Sequence, residues 1–338
     1  MLRSLHLFLK NKNYYFLYNY RNSHVHSNRI GILGAPFSKG QNKDGVDRAP
    51  DALRHYGLIN QLQELGLDVK DYGNLRFEDY SDSSKNGNVS VGAACYKLAE
   101  AVKKVLLERS KCITLGGDHS LGIGTVHGHA QVHDVCVLWI DAHPDINTSH
   151  TSPSGHVHGM SCSFLIKELK KYKNFLPGFE WLQPCVKRSN IAYIGLRDID
   201  PPEKFILTKE EILHFTMRDI DKLGVFEVTN RALEAINPTG KLSLHVSFDI
   251  DSIDKMLTPS TGTPVIGGLT VREALSIAEE ISSLEFFRGL DLVEINPILG
   301  SKEQIENTIN VGLLVLKTFL GYSRHGSIPK IIQEIPAS

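Results

Sequence analysis

From residue 29 onward, short runs of apolar and β-branched residues alternate with longer stretches whose apolar positions recur every three or four residues, the pattern of strands separated by amphipathic helices. The short runs predict strands over 30–33, 67–72, 112–115, 135–140, 191–196, 244–248 and 290–295. The longer stretches 91–107, 270–281 and 305–320 have the spacing and length of helices. Strands and helices in alternation build an α/β fold around a mostly parallel sheet. Segments 148–159 and 258–268 are rich in Gly, Pro and Ser, yet they read as insertions within the alternation, and no internal repeat is present. The pattern therefore predicts one domain over 29–330 and a short tail over 331–338.

The 338 residues are 41% hydrophobic and 22% charged, which excludes collagen, low-complexity disorder and a small disulfide scaffold. Thirty-seven Lys and Arg oppose 38 Asp and Glu, so no global field recruits nucleic acid or an anionic membrane. No apolar stretch approaches the roughly 18–20 residues needed to span a bilayer. Five widely spaced cysteines without a C-x-x-C pair argue against a disulfide framework or a thiolate zinc site and fit a reducing compartment.

One local asymmetry stands out. Asp44 is the first acidic residue, whereas Arg3, Lys10, Lys12, Arg21 and Arg29 precede it, and Leu2, Leu5, Phe8 and Leu9 would share one face of a helix. Residues 1–28 accordingly read as a mitochondrial transit peptide, with a disordered leader as the alternative.

Acids and histidines gather where the apolar runs stop, the rim at which open α/β sheets bind ligands. Gly116-Gly117-Asp118-His119 follows one run, Asp141-Ala-His143-Pro-Asp145 another, Asp249-Ile-Asp251 a third and Glu294 a fourth. In extended chain, alternate side chains leave the same edge. Asp141, His143 and Asp145, joined by Asp249, Asp251 and His119, would then place four carboxylates and two imidazoles at one rim. That much negative charge calls for cations, and an oxygen-rich set with two histidines suits a pair of Mn²⁺ ions. Two metals about 3.5–4 Å apart can share a water and present it as hydroxide near neutral pH. No nucleophile elbow or phosphate-binding Walker loop competes; Gly116-Gly117 would allow a tight turn beside the cluster. His127, His129 and His133 read as exposed or hydrogen-bonded helix residues.

These blocks, in this order, resemble the arginases of the ureohydrolase superfamily. The resemblance runs through Gly31-Ile-Leu-Gly-Ala-Pro-Phe-Ser-Lys-Gly-Gln41, Leu115-Gly-Gly-Asp-His-Ser-Leu121, Asp141-Ala-His-Pro-Asp-Ile-Asn147, Gly195-Leu-Arg-Asp-Ile-Asp-Pro201, Ser247-Phe-Asp-Ile-Asp251, Thr258-Pro-Ser-Thr-Gly-Thr-Pro-Val265 and Glu294-Ile-Asn-Pro297. It implies a three-layer α/β/α sandwich around an eight-stranded sheet. It also implies two Mn²⁺ per subunit and hydrolysis of L-arginine to L-ornithine and urea by a metal-bridging hydroxide. With the basic leader, it implies a mitochondrial matrix enzyme, the cytoplasm being the alternative. By the same resemblance His119, Asp141, His143, Asp145, Asp249 and Asp251 are the metal ligands and Asp145 also serves catalysis. His158 resembles the proton shuttle and Glu294 the carboxylate that grips the guanidinium. Asn147 and Ser154 would meet the substrate carboxylate and Asp200 its amino group, with Glu203 and Thr263 lining the same pocket. A homotrimer is implied, its contacts sought in 321–338 around Arg324.

Three departures follow. His156 stands where the family usually has an Asn on the substrate carboxylate, which predicts altered affinity with hydrolysis retained. Pro144 occupies the unligated middle of the metal motif and would stiffen the turn, and Asp254-Lys255 replaces a common Asp-Pro. The competing readings are an agmatinase or another guanidino hydrolase with the same metal chemistry, a metal-binding regulatory protein without turnover, and a deacetylase of similar architecture.

Overall fold

The computed structural model describes residues 29–78, 87–172 and 176–324; the expected leader at 1–28 and tail at 331–338 lie outside the described residues. The strands are β1 (Arg29–Gly34), β2 (Asp68–Asn74), β3 (Lys111–Leu115), β4 (Val135–Ile140), β5 (Ile191–Leu196), β6 (Leu213–Thr216), β7 (Ser243–Asp249) and β8 (Phe287–Val293). They form one eight-stranded sheet in the order β2-β1-β3-β8-β7-β4-β5-β6. Every pairing in it is parallel. The helices are α1 (Ala49–His55), α2 (Leu58–Glu64), α3 (Asn88–Glu108), α4 (Gly122–Ala130), α5 (Ser161–Leu165), α6 (Pro201–Lys209), α7 (Met217–Leu223), α8 (Val225–Ile236), α9 (Val271–Ser282) and α10 (Lys302–Phe319).

The twofold period of extended chain sorts each strand between two helical layers. Cys136, Leu138 and Ile140 of β4 pack into one core with residues of α1, α2 and α7–α10. Val135, Val137 and Trp139 turn to the opposite face, against α4, α5 and α6, while α3 packs beside them over β1 and β3. A parallel sheet so covered has buried strands, and all six residues of β4 and of β5 are buried. Each buried Leu or Ile contributes about 1.5–3 kcal/mol, so these continuous apolar runs hold β4 and β5 between the two helical layers.

Local chemistry sets the helix ends. Ser301 and Gln304 cap α10 reciprocally, Gln304 N donating to Ser301 Oγ at 3.3 Å and Ser301 N to Gln304 Oε1 at 2.8 Å. The helix thus starts at Lys302, three residues before the apolar periodicity begins at Ile305, because its first turn is polar. Thr270 and Glu273 cap α9 in the same way.

The chain passes from β3 to β4 across two positions that β8 and β7 fill later. This reversal places the carboxyl ends of β3, β8, β7 and β4 side by side, the location expected for a ligand site.

Candidate metal and substrate site

His119 opens a short helical turn after β3. Its ring stacks on Trp139, centroids 4.0 Å apart and planes 9° from parallel. Nε2 meets Ser247 Oγ at 2.9 Å. Nδ1 faces the Oδ2 atoms of Asp141, Asp145 and Asp249 at 2.9, 3.2 and 3.1 Å. His143 Nδ1 lies 3.5 Å from Asp141 Oδ1 and 3.2 Å from Asp251 Oδ2. All six residues expected at one rim are therefore together.

The donor set fits a pair of divalent cations. His119, Asp141 and Asp249 form one group and Asp141, His143 and Asp251 another, the ligand atoms in each lying within 4.8 Å of one another. Although His119 Nδ1 is surrounded by carboxylates and buried, it makes no well-directed hydrogen bond. Asp141, Asp145, Asp249 and Asp251 are all buried. Burial, then neighbouring carboxylate charge, pushes the Asp145 and Asp249 carboxyls well above the usual range. The bare protein thus carries a cost that bound cations would remove.

Glu294 sits at the end of β8 with φ 64°, and Asp145 has φ 50°. Left-handed backbone at a residue other than Gly costs on the order of 1–3 kcal/mol and marks sites where surrounding structure imposes geometry. Glu294 Oε1 accepts from His119 N at 2.9 Å and Oε2 from Gln41 Nε2 at 2.6 Å. His158 Nδ1 stands 3.6 Å from Oε1. Burial alone would raise Glu294, but the hydrogen bond and charge of His158 hold it below the ordinary value. Conversely, burial would lower His158, and Glu294 raises it above the ordinary histidine value. Gly117 owes its place to close approach: its φ is not positive, and a Cβ there would run into the backbone of Phe37.

A cavity of about 170 Å³ is lined by His119, His143, Asp145, His158, Asp249 and Thr263, and by Asn147, Ser154, Asp200 and Glu203. Asn147 Nδ2 donates to Asp200 Oδ2 at 3.0 Å and its Oδ1 accepts from Thr151 Oγ1 at 2.8 Å, which leaves the amide one further N–H. Thr263 Oγ1 donates to Asp251 Oδ2 at 3.1 Å. His156 does not line this cavity; its ring centroid is 6.2 Å from that of His158, and its backbone N donates to Ser154 Oγ at 3.2 Å. Burial, then the His158 charge, holds His156 below the ordinary histidine value.

Glu203 accepts from Ile146 N at 3.1 Å and Asp200 N at 3.0 Å, and burial pushes its carboxyl up to about 7 from an ordinary 4.5. A carboxyl raised by folding favours the fold fully below its unfolded pKa, and that contribution is lost as pH climbs through the folded value. Glu203→Gln is therefore expected to flatten the fall in melting temperature between about pH 5 and about pH 8, measured by scanning calorimetry. A slope identical to the parent's would contradict the assignment.

Sequence reasoning left several contributors without a role. Gln41 holds Glu294, Ser247 orients His119, Trp139 stacks on it, and Asp198 Oδ2 lies 3.6 Å from His143 Nε2. Gln41, Ser247 and Asp198 fall inside the resemblance blocks, which was the available signal. Buried Asp118 ties the 35–41 loop to the site by accepting from Gly40 N at 2.8 Å. Of the helix histidines, His129 is buried and bonded to Ser243 Oγ and His245 Nδ1 at 2.8 and 3.1 Å, as a hydrogen-bonded reading requires. Arg324, sought as an intersubunit residue, pairs with Glu279 of its own chain at 2.6 Å.

Fold and donor set together define a class: parallel α/β proteins whose central strand ends gather histidines and carboxylates able to hold metal ions. The arginase family model matches residues 28–321, and the chain belongs to the arginase family. It is 46% identical over 309 residues to human mitochondrial arginase-2, covering 89% of this chain and 87% of the relative. Bovine arginase-1 is 47% identical over 305 residues, covering 88% and 94%. Among solved structures, the arginase of Bacillus caldovelox superposes with a TM-score of 0.79 at 32% identity, covering 88% of this chain and 99% of that one. The arginase of Entamoeba histolytica, solved with L-ornithine, gives 0.75 at 27% identity, covering 88% and 100%.

Proposed function

We propose that this chain hydrolyses the guanidinium of L-arginine to L-ornithine and urea, with two Mn²⁺ held by His119, Asp141, His143, Asp145, Asp249 and Asp251. The observation that carries the reading is the gathering of that donor set beside the Glu294–His158 pair, with His119, His143, Asp145, His158 and Asp249 opening onto a cavity whose far end is polar at Asn147, Ser154, Asp200 and Glu203. When bound, the metal pair supplies a water acidic enough to act as nucleophile near neutral pH.

The chain's own residues then have separable tasks. Glu294, kept ionised beside His158, grips the planar guanidinium. His158 gives a proton to the departing amine; an imidazole held above its ordinary value is still partly protonated near neutral pH. Asn147 and Ser154 meet the α-carboxylate and Asp200 the α-amino group, with Glu203 and Thr263 lining the same pocket. His156, held below the ordinary histidine value by burial and the His158 charge, acts on affinity through the Ser154 loop.

Relatives named mitochondrial in human and rat, together with the acid-free leader, support a mitochondrial location. No helix among the described residues is long and apolar enough to cross a membrane. The homotrimer rests on the family resemblance.

The alternative with the same metal chemistry, an agmatinase, has no use for groups that meet an α-carboxylate. Metal-stripped protein reloaded with Mn²⁺ is expected to release urea from L-arginine with a kcat/KM on the order of a hundredfold or more above that for agmatine. Equal values for the two substrates, or turnover indifferent to chelation, would overturn the reading.

A further inference from the structure

A second cavity, of about 300 Å³, is lined by residues next in sequence to some that line the first. Thr148, Thr151 and Pro202 face it, while their neighbours Asn147, Ser152, Asp200 and Glu203 line the catalytic cavity. The 147–152 segment and the first turn of α6 thus separate the two. None of the residues assigned to the reaction opens into the second space.

Its chemistry is specific. Tyr172, Phe205 and Ile206 form an apolar wall, and Phe205 is 63% exposed, so its ring is accessible from the cavity. Two lysines line the same space. The charge of Lys171 is neutralised by buried Glu210 at 3.0 Å, which also accepts from Tyr172 Oη at 3.2 Å. Lys209 makes no ion pair among the described residues; its ammonium stands 5.4 Å from the Phe205 ring centroid and 5.6 Å from that of Tyr172. One unneutralised cation beside two aromatic faces suits a monoanion attached to a flat apolar body. The volume is at the lower end of small-molecule pockets, which limits that body to about one ring.

We propose that this cavity is a regulatory site for a small aromatic monocarboxylate. Its ring packs on Phe205 and Tyr172 and its carboxylate meets Lys209. Occupancy bears on Thr151, whose hydroxyl holds Asn147, and on Pro202, which lies between Asp200 and Glu203, so it alters affinity at the amino-acid end of the catalytic cavity. The coupling half rests on the proposed arginine hydrolysis; the binding half does not.

The test uses the Mn²⁺-loaded full chain with phenylacetate and 3-phenylpropionate as probes and uncharged phenylacetamide as control, read by calorimetry and saturation-transfer NMR with L-ornithine saturating. Both acids are expected to bind, phenylacetamide at least about tenfold more weakly. Lys209→Glu and Phe205→Ser, changes at exposed positions, are expected to weaken the acids about tenfold or more while urea production without probe is unchanged. Saturating phenylacetate should shift KM for L-arginine at least about fivefold, with a smaller change in kcat, and the shift should vanish in Lys209→Glu. Failure of both acids to bind at millimolar concentration, binding indifferent to both substitutions, or full competition with ornithine, beyond the several-fold change that coupling entails, would overturn the site. Binding that leaves KM unchanged would overturn the coupling. A protein that binds phenylacetate at Lys209 but releases no urea would refute the proposed hydrolysis and leave the cavity assignment standing.

Discussion

Asp249→Asn should abolish turnover and yet make the metal-free protein harder to unfold. The carboxylate is buried, faces His119 Nδ1 at 3.1 Å and is pushed well above its usual range by burial and by Asp251 and Asp141. A group raised in this way is a net cost to the bare fold at neutral pH. The amide of Asn keeps an oxygen to accept from Asp251 N, a bond of 2.8 Å in the parent, while it removes the charge. The metal-free variant should therefore melt higher than the metal-free parent, by about 1–2 °C for each kcal/mol of repulsion relieved. Metal content by elemental analysis should fall below two per chain, and urea formation by on the order of 10³-fold, the several kcal/mol that metal activation of water supplies. A variant that keeps two metals and full activity would remove Asp249 from the ligand set; one that loses metal without gaining stability would refute the electrostatic account.

Glu294→Gln should cost as much activity by another route, with both metals retained. The parent carboxylate accepts from His119 N and Gln41 Nε2, whereas a glutamine offers one oxygen and must turn its own N–H₂ toward one of those donors. It also loses the charge proposed to grip the guanidinium. Two charge-assisted hydrogen bonds contribute about 3–6 kcal/mol, so kcat/KM for L-arginine should fall by about 10²–10⁴-fold. Measuring metal content and kcat/KM on the same preparation separates the two effects. Loss of metal from this variant would make Glu294 a support of the metal centre, and normal kinetics would exclude it from substrate binding.

The candidate donor set was legible because the motifs that carry it lie at the ends of strongly apolar strands. Once β3, β4, β7 and β8 are parallel, their C-terminal residues must share a rim. The fourth strand-end acid, Glu294, followed from the same rule, and the motif order supplied the family and the eighth strand. Other features were not legible. β6 is four residues at the sheet edge, half-buried throughout and interrupted by His214, so it lacks a decisive period. β8 begins at Phe287, three residues before its expected start, because Arg288 and Gly289 break the apolar run. The Gln41–Glu294 bond joins positions 253 residues apart, and nothing local signals it. The left-handed backbone at Glu294 is imposed by tertiary structure at a residue with no intrinsic preference for it, and at Asp145 the preference is too slight to read from sequence.

The stacking of His119 on Trp139 has an optical consequence. Indole emission is quenched by a protonated imidazole in contact and much less by one whose lone pair is otherwise engaged, and Trp139 also donates to Asp141 Oδ2 at 3.0 Å. The chain has two tryptophans, and the other, Trp181, packs against His127 and Tyr96. Its ultraviolet fluorescence therefore contains a native gauge of what His119 is bonded to, readable in a cuvette without label or substrate.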